Sequence, residues 1–259
     1  MRQFEAIEAV SASLKSDDCV KAIFVKGSIG RGEFDEYSDV DLYCLVEEMD
    51  VNDFLSRRLK HLRAYREILF YEDLFIIAPQ MIAVYDNLLH MDLFAVTEST
   101  FKKKDYFQVI FDPDNRLQVF EEEQNLYLSQ SEFDSHTYDL AWFLFQYSKA
   151  RKRGNDLWAV EMVHLALPHF AKVLLHRYEP NRAQLGIKTL QRSLSEHVYK
   201  QVESVMNNLT PASHQLGVSL LIQQLSLELE WIESKLLKSS QARRFIRFMV
   251  DHLYEERKD

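Results

Sequence analysis

Residues 26–46 read KGSIGRGEFDEYSDVDLYCLV, and the run from Val40 to Val46 has the apolar, β-branched and aromatic character of a buried strand. Asp39 and Asp41 interrupt this pattern at alternate positions. Aspartate is depleted in strands because its side chain competes for backbone hydrogen bonds and packs poorly. Residues i and i+2 of a strand share a face, so the two carboxylates point the same way, with Cα atoms about 6–7 Å apart. Val40, Leu42 and Cys44 turn to the opposite face, toward a core. Converging carboxylates repel, and one pKa rises unless something positive lies between them. A hard divalent cation such as Mg²⁺, which takes carboxylate and phosphate oxygens, meets that need.

The upstream half of the segment complements this pair. VKAIFVK (20–26) reads as a strand, ended by Gly27-Ser28 at a turn into a short helix. Gly27 admits backbone close to a ligand. Ser28 is expected to cap the helix and hold a phosphate at its positive end. Arg31 offers a charge-assisted bond to the same phosphates, with an ordinary surface ion pair as the competing reading. Strand, Gly-Ser turn, helix and a strand with paired Asp together describe a site for a metal-bound triphosphate.

Outward from this segment the texture of the chain changes near residue 125. Short β-like runs at 20–26, 40–46, 67–71, 74–79, 80–86, 91–96 and 109–112 dominate the first part, interleaved with helical patterns at 3–15 and 50–64. Beyond residue 130, helical periodicity covers 133–153, 155–178, 183–206 and 213–257, punctuated by Gly154, Pro180 and Pro211. Pro168 is expected to kink or divide the second of these helices. The fold class expected is α+β. An N-terminal α/β domain with a mixed sheet (1–125) is followed by a C-terminal all-α helical bundle (126–259).

With 47% hydrophobic and 27% charged residues, the chain has the balance of a globular protein able to bury a core. A net charge of −9 argues against a polynucleotide partner, whose binding rests on basic excess. No apolar run approaches a membrane span, and the acidic amphipathic N-terminus is unlike a signal peptide. Cys19 and Cys44 read as isolated thiols in a reducing compartment, so a cytoplasmic location is expected.

The arrangement G-S-x-x-R-G-x(6)-D-x-D, carried by Gly27, Ser28, Arg31, Gly32, Asp39 and Asp41, resembles the signature of the DNA-polymerase-β-like nucleotidyltransferase superfamily. The likeness is greatest to small bacterial antibiotic nucleotidyltransferases of the lincosamide type, through VYDNL (84–88), IFDPDN (110–115) and the helical C-terminal half. That superfamily carries a third carboxylate on a later strand, and Asp92 in LLHMDLFAV matches it. The resemblance implies Mg²⁺ held by Asp39, Asp41 and Asp92, a nucleoside triphosphate as donor, and transfer of its monophosphate, AMP above all, with pyrophosphate leaving. Two metal ions suit such an in-line displacement. Asp92 is open to two roles, completing a metal shell or accepting the hydroxyl proton. A small-molecule hydroxyl, on a lincosamide or aminoglycoside, is the acceptor class implied, together with a homodimer. The alternatives are nucleotidylation of a protein or another metabolite, and a non-catalytic nucleotide-sensing or antitoxin-like protein that retains the fold.

Other features have plainer readings. Lys149, Arg151, Lys152 and Arg153 complement a helix dipole ahead of Gly154 at the C′ position; reaching a triphosphate is the competing role. Lys102–Lys104 and Glu121–Glu123 are expected to be solvated. His164 and His169 stand five apart, off the spacing that aims two ligands at one metal. Trp142, Phe143, Phe145, Trp158 and Trp231 are expected in the helical core. Asp139 and Glu161 are candidate acceptor-facing acids or bases, against the reading of exposed helix carboxylates. The run from Leu216 to Leu236 suits either a dimer interface or a bundle core.

Overall fold

The computed structural model describes residues 1–102 and 104–256; Lys103 of the lysine run and Arg257, where the last helical pattern ends, lie outside the described residues. The chain divides into two compact units, Met1–Asn125 and Leu126–Asp259.

In the first unit, helix α1 (Arg2–Leu14) leads to strand β1 (Val20–Val25), the four-residue helix α2 (Gly27–Gly30) and strand β2 (Val40–Val46). Helix α3 (Val51–Leu62) is followed by β3 (Ile68–Phe75), β4 (Pro79–Tyr85), β5 (His90–Val96), β6 (Gln108–Phe111) and the short helix α4 (Gln118–Glu121). The six strands form one sheet in the order β3-β4-β5-β2-β1-β6. The β2–β5 pair is parallel and the other pairs are antiparallel, so the sheet is mixed.

Both faces of β2 and β5 are buried, which explains their near-continuous apolar sequences. Val25, Leu42, Cys44, Leu93 and Ala95 pack in one layer with Val10 and Leu14 of α1 and Phe54 and Leu62 of α3. Phe24, Tyr43, Leu45, Phe94 and Val96 form the opposite layer with Phe101 and Leu117. There Tyr43 stacks between Phe94 and Phe24, with ring centroids 4.2 and 5.1 Å away. The strand expected at 67–71 continues through Glu72 and Asp73 to Phe75 as one edge strand, β3, whereas the strand expected at 74–79 is centred on the bend at 76–78 that joins β3 to β4. An edge strand tolerates such charges because one side meets solvent.

The second unit is helical: α5 (Gln130–Lys152), α6 (Asp156–Tyr178), a 3₁₀ stretch (Pro180–Thr189), α7 (Leu190–Ser193), α8 (Glu196–Asn207), α9 (His214–Lys235) and α10 (Gln241–Glu255). Ser129 and Glu132 form a capping box that starts α5. Gly154, at φ +65°, follows its last turn. Pro168 does not divide α6, which runs unbroken through it. The helix expected over 183–206 is broken, because Gly186 takes a non-helical conformation inside the 3₁₀ stretch and Leu194 is extended. The pattern at 213–257 likewise splits at Leu236–Ser240 into α9 and α10.

Leu221, Leu225, Leu229, Ile232 and Leu236 lie in the bundle core, whereas Leu216 is exposed. Phe143, Phe145, Trp158 and Trp231 pack against that core, but Trp142 is 40% exposed and does not join it. By length and composition α6 is apolar enough to cross a membrane, yet half of that window is buried within the protein. Arg151 and Lys152 pair with Glu256, and Lys149 lies over the Phe145 ring.

Candidate active site

The parallel pairing of β2 with β5 sets Asp41 directly beside Asp92 as Cα partners. Adjacent strands lie about 4.8 Å apart, and partners in register project from the same face. Both side chains therefore lie on the face of Tyr43 and Phe94, at the end of the aromatic layer. Asp92 is buried and Asp41 nearly so. Asp39 sits exposed, just before the first residue of β2. Burial and the neighbouring charges of Asp39, Asp92 and Asp105 push the Asp41 carboxyl up to about 7. Converging carboxylates in a half-dry site are expected to do this, and it marks a place where positive charge is wanted.

Gly27 approaches Asp41 closely. It takes φ +63°, and a Cβ placed there would lie 2.0 Å from Asp41 Oδ2. The turn thus needs glycine twice, for its left-handed backbone and for the carboxylate's approach. The Lys26 N–H donates to the Asp41 carbonyl at 3.0 Å, tying the turn to β2. Ser28 does not cap α2; the N-cap position is Lys26, without a side-chain cap. Instead the Ser28 Oγ is buried without a hydrogen-bond partner. A buried hydroxyl left unpaired is costly. With four residues, α2 contributes little dipole, and the phosphate reading rests on Ser28 rather than on the helix.

Arg31 is engaged within the protein. Its guanidinium donates to Glu33 Oε2 at 3.1 Å and to Asp105 Oδ2, and its side chain is mostly buried. The ion-pair reading of Arg31 therefore describes this structure.

Four further residues shape the site and were not singled out from sequence. His90 Nε2 lies 3.0 Å from Asp92 Oδ1, and this bond raises the imidazole pKa. Asp105, at φ +70°, adds its charge to the field at Asp41 and receives Arg31. The Lys26 ammonium is buried, donating to the carbonyls of Lys102 (2.7 Å) and Lys104 (3.0 Å) and lying over the Phe101 ring. Burial lowers its pKa to about 8. Finally, the buried Gln3 amide donates to the carbonyls of Asp35, Glu36 and Ser38 at 3.0–3.1 Å, fixing the loop that delivers Asp39. The alternation in 40–46 gave a signal for Asp41, but no local pattern marks Gln3 as the anchor of a loop 32 or more residues away.

Asp86 and Asp112, in the VYDNL and IFDPDN segments, hold structure instead of facing the acids. Asp86 pairs with Arg66, and Asp112 accepts from the backbone N–H groups of Arg116 and Leu117. Glu161 is exposed on α6, while Asp139 on α5 lies 3.6 Å from His169 Nδ1. Among the described residues, the metal-ligating groups of three whose ligand atoms all lie within 4.8 Å comprise His136, Asp139 and His169; Asp39, Asp41 and Asp92 are spread more widely than that.

No curated protein matches the chain. An aminoglycoside 6-adenyltransferase from Bacillus subtilis aligns over 98% of this chain and 99% of its own, at 11% identity and a TM-score of 0.39. A nucleotidyltransferase-like protein from Exiguobacterium sibiricum aligns over 98% of this chain and 75% of its own, at 15% identity and a TM-score of 0.36. The family model described as a nucleotidyltransferase domain matches residues 7–156, which span the sheet, the Gly27-Ser28 turn and all three acids. More than half of its length lies in that match, and the chain belongs to the nucleotidyltransferase domain family: it is a nucleotidyltransferase.

Proposed function

We propose that this enzyme transfers a nucleoside monophosphate, AMP from ATP in the first instance, to a hydroxyl of a small molecule, with antibiotics of the lincosamide or aminoglycoside type as the acceptor class. The observation that carries the reading is the register of Asp41 beside Asp92, with Gly27 pressed against Asp41. The donor set fits Mg²⁺: carboxylate oxygens dominate, and burial together with the charges of Asp39, Asp92 and Asp105 holds Asp41 up to about 7. Asp39, Asp41 and Asp92 would hold the cation. When bound, it supplies charge neutralisation on the phosphates and a lowered pKa for the attacking hydroxyl.

The chain's own residues have separable tasks. Ser28 donates to a phosphate oxygen, and the Gly27 turn lets the triphosphate approach the backbone. His90 holds Asp92 through its Oδ1. In the transfer, a bond forms between the acceptor oxygen and the α-phosphorus while the bond from that phosphorus to pyrophosphate breaks. The hydroxyl proton passes to a site carboxylate, with Asp92 in that role. Because Arg31 is paired with Glu33 and Asp105, its proposed part is to steady the loop around Asp105.

The experiment is pyrophosphate release by purified protein with Mg²⁺ and each of the four nucleoside triphosphates, screened against a panel of antibiotics. Turnover with one acceptor, abolished by Asp41→Asn and by Asp92→Asn, supports the proposal. Nucleotide binding with transfer only to protein substrates would move the acceptor to the macromolecular class. Full activity in Asp41→Asn would refute the site.

A further inference from the structure

A second cluster of metal-ligating side chains lies in the helical unit, formed wholly within it. His136 and Asp139 stand three apart on α5, and His169 faces them from α6. His136 Nδ1 lies 3.0 Å from His169 Nδ1, and His169 Nδ1 lies 3.6 Å from Asp139 Oδ2. One ligand atom from each residue falls within 4.8 Å of the other two. In a tetrahedral site with Zn–N bonds of 2.0–2.1 Å, neighbouring ligand atoms are separated by about 3.3 Å. The two observed separations bracket that value. We propose that His136, Asp139 and His169 form a binding site for a borderline divalent transition-metal ion, Zn²⁺ above all, which ties α5 to α6.

Several features favour this over a plain hydrogen bond between imidazoles. Two imidazoles and one carboxylate are a donor set suited to Zn²⁺ rather than to Mg²⁺. Side chains from facing helices, two of them at i and i+3, are a recurrent way for bundles to build metal sites. All three residues are half-buried, so the ligands are partly dehydrated without being sealed from solvent. Lys172 opposes a dication electrostatically, and the carboxylates of Asp139 and Glu132 face the rings with the opposite sign. The site is separate in residues and chemistry from the acids at Asp41 and Asp92, and its existence does not depend on nucleotidyl transfer.

The test uses the full chain carrying Asp41→Asn, which weakens divalent-ion binding at the acid cluster, after treatment with a chelator. Zn²⁺ is titrated against a chromophoric competitor, and Co²⁺ is added separately to read ligand geometry. The site predicts one Zn²⁺ per chain, a higher melting temperature with the ion, and the strong visible absorption of four-coordinate Co²⁺. Adding His136→Gln, His169→Gln or Asp139→Asn should weaken Zn²⁺ binding at least tenfold and bleach the Co²⁺ band. Zn²⁺ binding by the histidine variants within twofold of the parent would overturn the assignment. So would a parent that binds no Zn²⁺ or shows no such Co²⁺ band, a result readable even if a histidine variant fails to fold.

Discussion

Replacing Asp41 by Asn should stabilise the metal-free protein while abolishing its activity. The carboxyl stays protonated up to about 7 in the folded protein, against an ordinary value of 3.8, through burial and the charges of Asp39, Asp92 and Asp105. Between those values the folded state binds more protons than the unfolded one, so stability falls as pH rises and the penalty is complete above about 7. A rise of about three pH units, at 1.36 kcal/mol each, sets the penalty at up to about 4 kcal/mol. Asn has the same shape and no charge to desolvate. Calorimetric unfolding without divalent cations, at about pH 4 and about pH 8, reads the difference. The variant should match the wild type within about 1 kcal/mol at the lower pH and exceed it by about 2–4 kcal/mol at the higher. Mg²⁺ with a nucleoside triphosphate should then raise the melting temperature of the wild type and leave the variant almost unmoved. A variant less stable than wild type at pH 8, or equally offset at both pH values, would refute the reasoning.

Three further perturbations probe the surroundings. Gly27→Ala must adopt φ +63° and displace Asp41 Oδ2, so it should cost at least about 1–2 kcal/mol of stability and on the order of a hundredfold in kcat, checked by melting and steady-state rates. Lys26→Met removes a buried ammonium that donates to two backbone carbonyls and should cost about 1–3 kcal/mol. Because the Lys26 pKa falls from 10.5 to about 8, wild-type stability should gain on that variant as pH rises through this window, measured by denaturant unfolding. His90→Gln should lose stability relative to wild type chiefly below about pH 6.5, since a raised histidine pKa stabilises the fold there and the gain fades as pH climbs through the folded value. A deficit that persists unchanged at alkaline pH would remove the charged His90–Asp92 pair from the explanation.

Much of this arrangement was legible because it rests on local alternation. The buried strand around Asp41, the Gly27-Ser28 turn and the isolated Asp92 each break a pattern their neighbours set, and the sheet then unites them. Pro168 misled for a physical reason: a proline removes one helix hydrogen bond, and the packing of Val163, Phe170 and Leu174 holds α6 together across it. The break at Gly186 was equally hidden, since periodicity on either side continues while a single backbone conformation interrupts the helix. Gln3, Lys26 and Asp105 act through space on segments distant in sequence, and His90 acts on its own strand neighbour Asp92; their residue types occur widely without such roles. The pairing of His136 with His169 depends on which faces of α5 and α6 meet, a matter that spacing along either helix leaves open.

The central claim, that Asp39, Asp41 and Asp92 gather a divalent cation beside the Gly27-Ser28 turn, is tested most directly by crystals grown with Mn²⁺ and a non-hydrolysable nucleoside triphosphate. The expected result is an anomalous Mn²⁺ peak ligated by Asp41 and Asp92, with a phosphate oxygen within hydrogen-bond reach of Ser28 Oγ. A nucleotide bound elsewhere, or a peak that none of the three acids touches, would contradict it.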